Sequence, residues 1–284
     1  MTRTPAPGRT GSPVGEAEVS AFRDEVKEYY RQHGRSLPWR ETSNPYAILV
    51  SEIMLQQTQV DRVREKYREF LAAFPGFAEL AQAELSRVLS LWQGLGYNRR
   101  AVALRECAIS VVERFGGELP REIQDLVSLP GIGPYTARAV AAFAFGEPTP
   151  FIETNIRSVF IHHFFPEHQA VHDSDLLPLV EITLDREDPR GWYYALMDYG
   201  TMLKKKVANP SRRSAHHTIQ SPFRGSNREQ RSRLVRMILA SPGISEAQLA
   251  EGLPAKAESV QKNLQRLERE GFIREEDGRY WISQ

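Results

Sequence analysis

Residues 125–146 read DLVSLPGIGPYTARAVAAFAFG. Leu126, Leu129, Ile132, Ala137, Val140 and Ala141 recur at helical intervals on both sides of a Pro-Gly-x-Gly-Pro break, which predicts helix, tight turn, helix. Gly131 and Gly133 carry no Cβ and accept φ > 0, so a partner can approach the main chain closely there. Thr136 and its neighbours open the second helix, whose first N–H groups have no intrahelical acceptor. Backbone donors at the positive end of a helix suit a phosphate and read no base. Taken alone, Gly-x-Gly is more often the mark of a packed helical corner.

The rest of the chain supplies context. At 284 residues there is room for one large domain or two, plus a small module. An apolar fraction of 41% with 26% charged residues is that of a soluble globular protein. The net charge of +1 does not mark a nucleic-acid binder, but its distribution is uneven: residues 201–240 hold ten Lys or Arg against one acid, Glu229. The single cysteine, Cys107, excludes an internal disulfide framework, a Cys-based zinc site and a four-cysteine iron–sulfur cluster within one chain. It points to a reduced compartment, and the expected location is cytoplasmic. No apolar run approaches the roughly 20 residues of a membrane helix and the N-terminus has no apolar signal core, so no membrane partner is expected.

Residues 1–15, MTRTPAPGRTGSPVG, read as a disordered tail. A helix is predicted over Glu16 to His33, with Val19, Phe22, Val26 and Tyr29 on one face. Pro45 opens another that carries Ile48, Leu49, Ile53 and Met54. Glu52 lies in that apolar segment. It is either a solvated surface acid or a partly desolvated one with a raised pKa, as a general acid near neutral pH requires. Gln56, Gln57, Thr58 and Gln59 follow, four uncharged polar side chains suited to base edges or to filling a gap in a stack, or simply to a polar helix end. Further helices are predicted over residues 67–74, 80–91, 101–115 and 123–128, and residues 177–203 close the helical core with Trp192, Leu196 and Met197. His162, His163, His168 and His172 lack acidic or Cys partners and read as structural, so no metal is expected. Residues 226–284 form a second unit of three helices and a hairpin joined through Asp277-Gly278, the pattern of a winged helix. Its third helix carries Lys256, Lys262, Arg266 and Arg269 against Glu258, Glu268 and Glu270, nearly neutral in sum.

The string LPGIGPYTA, with SEIMLQQTQV and LWQGLGYNRRAVAL upstream, resembles the helix-hairpin-helix DNA glycosylase superfamily, which includes endonuclease III and the MutY-type adenine glycosylases. The resemblance covers roughly residues 35–205. It implies an all-α, two-lobed helical glycosylase domain over 16–225, followed by the small winged-helix module. It also implies a monofunctional enzyme, acting as a monomer on double-stranded DNA with a mismatch or lesion. Glu52 is then the acid that protonates the departing base, and Gln57, beside Gln56, wedges into the duplex. Tyr97 becomes an intercalating ring or, read without the family, a buried aromatic. Arg99 and Arg100 become phosphate contacts, and Gly131, Gly133 and Thr136 hold a phosphate at the hairpin. Glu153 stands where the family has an aspartate that stabilises positive charge on the sugar, one methylene longer here. Asn155 and Arg157 match positions that cap the next helix and touch DNA. Tyr135 occupies the position of the lysine that forms a Schiff base in bifunctional relatives, so base removal without strand cleavage is implied. Most relatives hold an iron–sulfur cluster on four cysteines after residue 203. This chain has none there, and Lys204, Lys205, Lys206, Arg212 and Arg213 are expected to meet phosphates directly. No cofactor is implied beyond a monovalent cation at the hairpin. SEIMLQQTQV points to adenine opposite guanine or 8-oxoguanine, whereas Tyr135, Glu153 and the missing 8-oxoguanine inspection domain leave open thymine or uracil opposite guanine. A DNA-binding protein without activity is the reading of another class.

Overall fold

A computed structural model describes residues 15–253 and 257–284. Residues 1–14, most of the expected tail, and Lys256 lie outside the described residues. The chain is mainly helical, in agreement with the sequence reading. In order, α1 spans Glu16–His33, α2 Pro45–Leu55, α3 Val60–Ala73, α4 Phe77–Gln82, α5 Leu85–Trp92, α6 Arg99–Phe115 and α7 Ile123–Val127. After the hairpin come α8 Pro134–Phe145, α9 Thr154–Phe164, α10 Asp173–Thr183 and α11 Pro189–Lys206. The C-terminal module holds α12 Asn227–Ala240, β1 Ile244–Ser245, α13 Glu246–Glu251, α14 Ala257–Arg269, β2 Ile273–Glu276 and β3 Arg279–Ile282. Among the described residues no helix is long and apolar enough to cross a membrane.

The chain forms two compact units, each assembled from separated segments. The first joins the described residues up to Ser43 with Pro134–Ile219, and so contains α1 and α8 to α11. Its core is aromatic: the Phe22 ring meets Phe160, Phe164 and Trp192 edge-on at centroid separations of 5.4, 5.1 and 5.9 Å. Between these helices Asp198 of α11 accepts hydrogen bonds from the Arg35 N–H and from both Nη atoms of Arg40. Arg23 ties α1 to the end of α10 by donating to the carbonyls of Thr183 and Leu184. Gly200 permits a close crossing of α11 and α9, since a Cβ there would lie 2.5 Å from the Asn155 carbonyl oxygen.

The second unit joins Asn44–Gly133 with Gln220–Gln284, so α2 to α7 and the C-terminal module pack as one body. Asn44 caps α2 by accepting from the Ala47 N–H, and Pro45 occupies the first helical turn, where no N–H is needed. Phe70 of α3 packs edge-on against Trp92 of α5. In the C-terminal module the sheet order is β1-β3-β2, with Ile273 paired to Ile282 and Glu276 to Arg279. Asp277 at φ 49° and Gly278 at φ 72° make the expected tight turn. Strand β1, two residues long, was not read from the sequence because a period of two needs more residues to register.

One helical expectation needs correction. The segment expected as one helix over 80–91 is two, because Ala83 and Glu84 adopt extended backbone between α4 and α5. Residues 177–203, expected to close the helical core, do so as the end of α10 and most of α11, which starts at Asp188-Pro189.

Candidate functional site

Helix α2 is buried along nearly its whole length. From Tyr46 to Met54 every residue is buried except Glu52, which is half-buried. A carboxylate is thus carried at the edge of a largely apolar helix, one turn before the chain leaves α2 at Gln56.

The turn after α2 and the turn before α6 are knitted together by Arg100. Its Nη1 donates to the carbonyls of Ile53 and Met54 at 2.7 and 2.8 Å, and its Nη2 to the Thr58 hydroxyl at 3.0 Å and the Gly96 carbonyl at 3.0 Å. The guanidinium also lies over the Trp92 ring, 5.4 Å from its centroid. Burial lowers its pKa to about 10. Expected as a phosphate contact, Arg100 is an internal clamp: five donors in a rigid fork match several carbonyls at once, and this one faces inward. Arg99, the first residue of α6, is exposed.

That clamp presents two side chains on strained backbone. Gln57 has φ 53° and Tyr97 φ 48°, a region non-glycine residues enter rarely and at a cost of about 1–3 kcal/mol. Gln57 is exposed and Tyr97 is 37% exposed, so the ring is not the buried aromatic of the alternative reading. The Tyr97 hydroxyl accepts from Arg228 Nη1 at 2.6 Å and from the Gln220 amide, whose Nε2 also donates to Gln57 Oε1 at 3.0 Å. Sequence reading missed Gln220 and Arg228 at this place. Only the basic bias of residues 201–240 hinted at them.

In the hairpin, Gly131 takes φ 77° and its missing Cβ would lie 2.8 Å from the Ala103 Cβ of α6. Gly133 has no positive φ and open space around its Cα, so only one of the two glycines is required by backbone geometry. Helix α8 begins at Pro134. Thr136 is buried in its first turn, while Tyr135 is 36% exposed with its ring edge-on to Phe151 at 5.7 Å. A tyrosine there has no amine to offer a sugar aldehyde.

Phe151 leads to the second carboxylate. Its N–H donates to the Tyr193 hydroxyl, which in turn donates to the Thr149 carbonyl, fixing the approach to α9. Glu153 is the N-cap of α9: Oε1 accepts from the Asn155 and Ile156 N–H groups at 2.7 and 2.9 Å. The cap is therefore Glu153 and not Asn155, whose side chain instead donates to Glu153 Oε2 at 3.2 Å and accepts from Lys204 Nζ at 2.9 Å. Lys204 has its pKa lowered by burial, partly offset by the nearby Glu153. The helix end favours an anion at this position, and the two amides hold the carboxylate still.

The remaining basic residues divide. Arg157 is engaged by Asp173 through two hydrogen bonds of 2.7 Å, an ion pair that occupies its planar fork. Arg213 donates to the carbonyls of Phe165, Pro166 and His168, which fastens the loop after α11 to the end of α9. Both were expected to face DNA, and both have their guanidinium groups turned to the protein. Lys205, Lys206 and Arg212 are exposed. Cys107 is buried within α6, and no other thiol exists in the chain to hold a cluster.

Residues 50–175 match the HhH-GPD family, described as HhH-GPD superfamily base excision DNA repair protein. The adenine DNA glycosylase of Mus musculus is 37% identical over 232 residues, covering 77% of this chain and 44% of that protein. The thymine/uracil-DNA glycosylase of Pyrobaculum aerophilum is 38% identical over 141 residues, 49% of this chain and 61% of that one. The chain spans about half the length of the curated relatives it matches. Among solved structures, a thermostable thymine-DNA glycosylase is similar with a TM-score of 0.59 and 28% identity, covering 65% of this chain and 86% of the other.

Proposed function

The chain carries an HhH-GPD domain of the base excision DNA repair superfamily, and on that premise we propose that it is a monofunctional DNA N-glycosylase that removes mispaired adenine from duplex DNA. The observation that carries the reading is Glu52, the one residue not fully buried between Tyr46 and Met54 of α2, one helical turn before Gln56 and Gln57. A base inside the duplex is out of reach, so the nucleotide must be rotated outward at a cost of a few kcal/mol of unstacking. Gln57 and Tyr97, held on strained backbone by the Arg100 clamp, are the side chains that fill or prop the gap. The N-glycosidic bond breaks with its electron pair passing to the base, and Glu52 gives that base a proton. Glu153, held on the α9 amides, offsets positive charge on the sugar while water adds to the same carbon and releases a proton. This is the two-carboxylate logic of glycoside cleavage applied to an N-glycosidic bond. Tyr135 forms no Schiff base, so the strand stays intact.

Similarity to thymine and thymine/uracil glycosylases favours a second reading, in which the base removed is thymine or uracil opposite guanine. Single-turnover assays on duplexes with A opposite G, C or 8-oxoguanine, and with T or U opposite G, separate the two when alkali reveals abasic sites. Release of adenine, abolished in Glu52→Gln, is the expected result. Release of T or U alone moves the substrate, and tight binding with no base released from any duplex overturns the enzyme reading.

A further inference from the structure

The turns that present Gln57 and Tyr97 border a cavity of about 660 Å³, and the C-terminal module forms its other wall. All of its lining residues belong to the second unit. The volume falls within the roughly 300–1,000 Å³ typical of small-molecule sites. Its lining holds six arginines and no carboxylate. Three of the six have partners outside the cavity: Arg100 the carbonyls of the turns, Arg231 Glu270, and Arg228, through Nη2 alone, the Ser221 carbonyl at 2.6 Å. Arg228 and Arg236 of α12, with Arg62 and Arg99, leave the cavity strongly cationic. Rings and amides accompany that charge. Phe223, 53% exposed, lines the cavity together with Tyr97, Gln57 and Gln220. Guanidinium groups for a phosphate, ring faces for stacking and amides for base edges are together the chemistry of a nucleotide in a strand. The backbone supports a functional reading, because two of the four non-glycine residues with positive φ among the described residues, Gln57 and Tyr97, are both here.

Helix α14, the third of the module and the usual DNA reader of a winged helix, does not offer this. Its buried side chains include Val260, Leu264 and Leu267, and its Lys262 and Arg266 pair with Glu258 and Glu270. We propose that α12 and the segment before it are part of the DNA-binding surface, and that the cavity takes one nucleotide of a strand, with its phosphate at Arg228 and Arg236 and its base against Tyr97 and Phe223. This rests on the DNA reading above and extends it: the C-terminal module becomes part of the substrate site. Arg228 then exchanges the Tyr97 hydroxyl for a phosphate oxygen when DNA enters, and Gln220 is displaced from Gln57.

The test is equilibrium binding of the full chain to a fluorescein-labelled duplex with one A:G mispair and to its fully paired counterpart, by anisotropy at several salt concentrations. The double variant R228Q/R236Q is expected to weaken binding to both duplexes at least tenfold and to flatten the salt dependence by about one unit of slope for each phosphate that is no longer neutralised. F223A is expected to weaken binding to the mispaired duplex about tenfold with no change in slope, as loss of stacking without loss of charge should do. K262Q/R269Q in α14 is expected to bind as the unaltered protein does. Circular dichroism melts run alongside, and R228K/R236K restores affinity if charge is what matters. Unchanged affinity and slope in R228Q/R236Q overturn this inference alone, as does an equal loss in K262Q/R269Q. No binding of either duplex by the unaltered protein overturns the DNA reading and this inference together.

Discussion

Arg40 and Asp198 form a bidentate ion pair, Nη1 to Oδ2 at 2.9 Å and Nη2 to Oδ1 at 2.8 Å, with 6% and 1% of their side chains exposed. Arg35 adds its Nε and backbone N–H to the same carboxylate. Burial alone would raise the Asp198 pKa, but the hydrogen bonds and charges of Arg40 and Arg35 hold it below the usual carboxylate range. Since the folded value is depressed, the pair stabilises the protein fully above the unfolded pKa of about 4 and the contribution fades as pH falls through the folded value. Removing one partner of a buried pair costs about 3–5 kcal/mol. Asp198→Asn should therefore lower the urea midpoint substantially at pH 7, and the gap between variant and unaltered protein should narrow below about pH 4. A gap that stays constant across that range would contradict the coupling.

The Arg100 clamp predicts a failure of charge-conserving replacement. Arg100→Lys keeps the cation but loses the fork that reaches five acceptors at once, leaving buried carbonyls unsatisfied at about 1–3 kcal/mol each. Denaturant unfolding should show a lower midpoint with an unchanged slope. Base release should also slow, because Gln57 and Tyr97 lose their support. Full activity with reduced stability would separate the clamp from the site.

At the hairpin, Gly131→Ala places a Cβ 2.8 Å from that of Ala103 at a φ of 77°. The two penalties, contact and backbone strain, together suggest about 1–3 kcal/mol. Adding Ala103→Gly should relieve the contact and leave the strain, so rescue is partial. Gly133→Ala meets open space without a positive φ and should be close to neutral in thermal melts.

Glu153 has two separable roles. Glu153→Ala removes the α9 cap at about 1 kcal/mol, whereas Glu153→Gln keeps a capping oxygen and removes the charge. The proposed chemistry predicts that Glu153→Gln melts near the unaltered protein yet loses most base release in single turnover. An active Glu153→Gln would reduce this residue to a cap.

Tyr135 predicts the absence of strand cleavage. Borohydride treatment in the presence of abasic duplex should trap no covalent adduct, and gels run without alkali should show intact strands. An adduct that survives replacement of Lys204 would show another amine at work.

Much of this was legible in the residues because it depends on short-range pattern. The helix over Glu16–His33 follows from apolar spacing, the start of α2 from Asn44-Pro45, and the β2–β3 turn from Asp277-Gly278. Gly131 could be marked as special by its string alone. Glu52 could be singled out too, since a carboxylate inside an apolar run is conspicuous before any fold is known.

What each charged side chain faces was decided only in three dimensions. The sequence shows that Arg100, Arg157 and Arg213 are cations, but their partners lie up to 52 residues away in the chain and are chosen by how helices pack. A guanidinium engages a carbonyl, a carboxylate or a phosphate equally well, and only position selects among them. Glu153 became the cap of α9 because its side chain reaches the first free amides, and Gln220 and Arg228 came to Tyr97 from 123 and 131 residues away because α12 packs in the same unit as the α5–α6 turn. The sequence by itself determined which elements form and which chemical groups they carry, since those follow from local spacing. Tertiary packing alone decided which of those groups face one another, because burial and hydrogen bonding depend on distance in space and not along the chain.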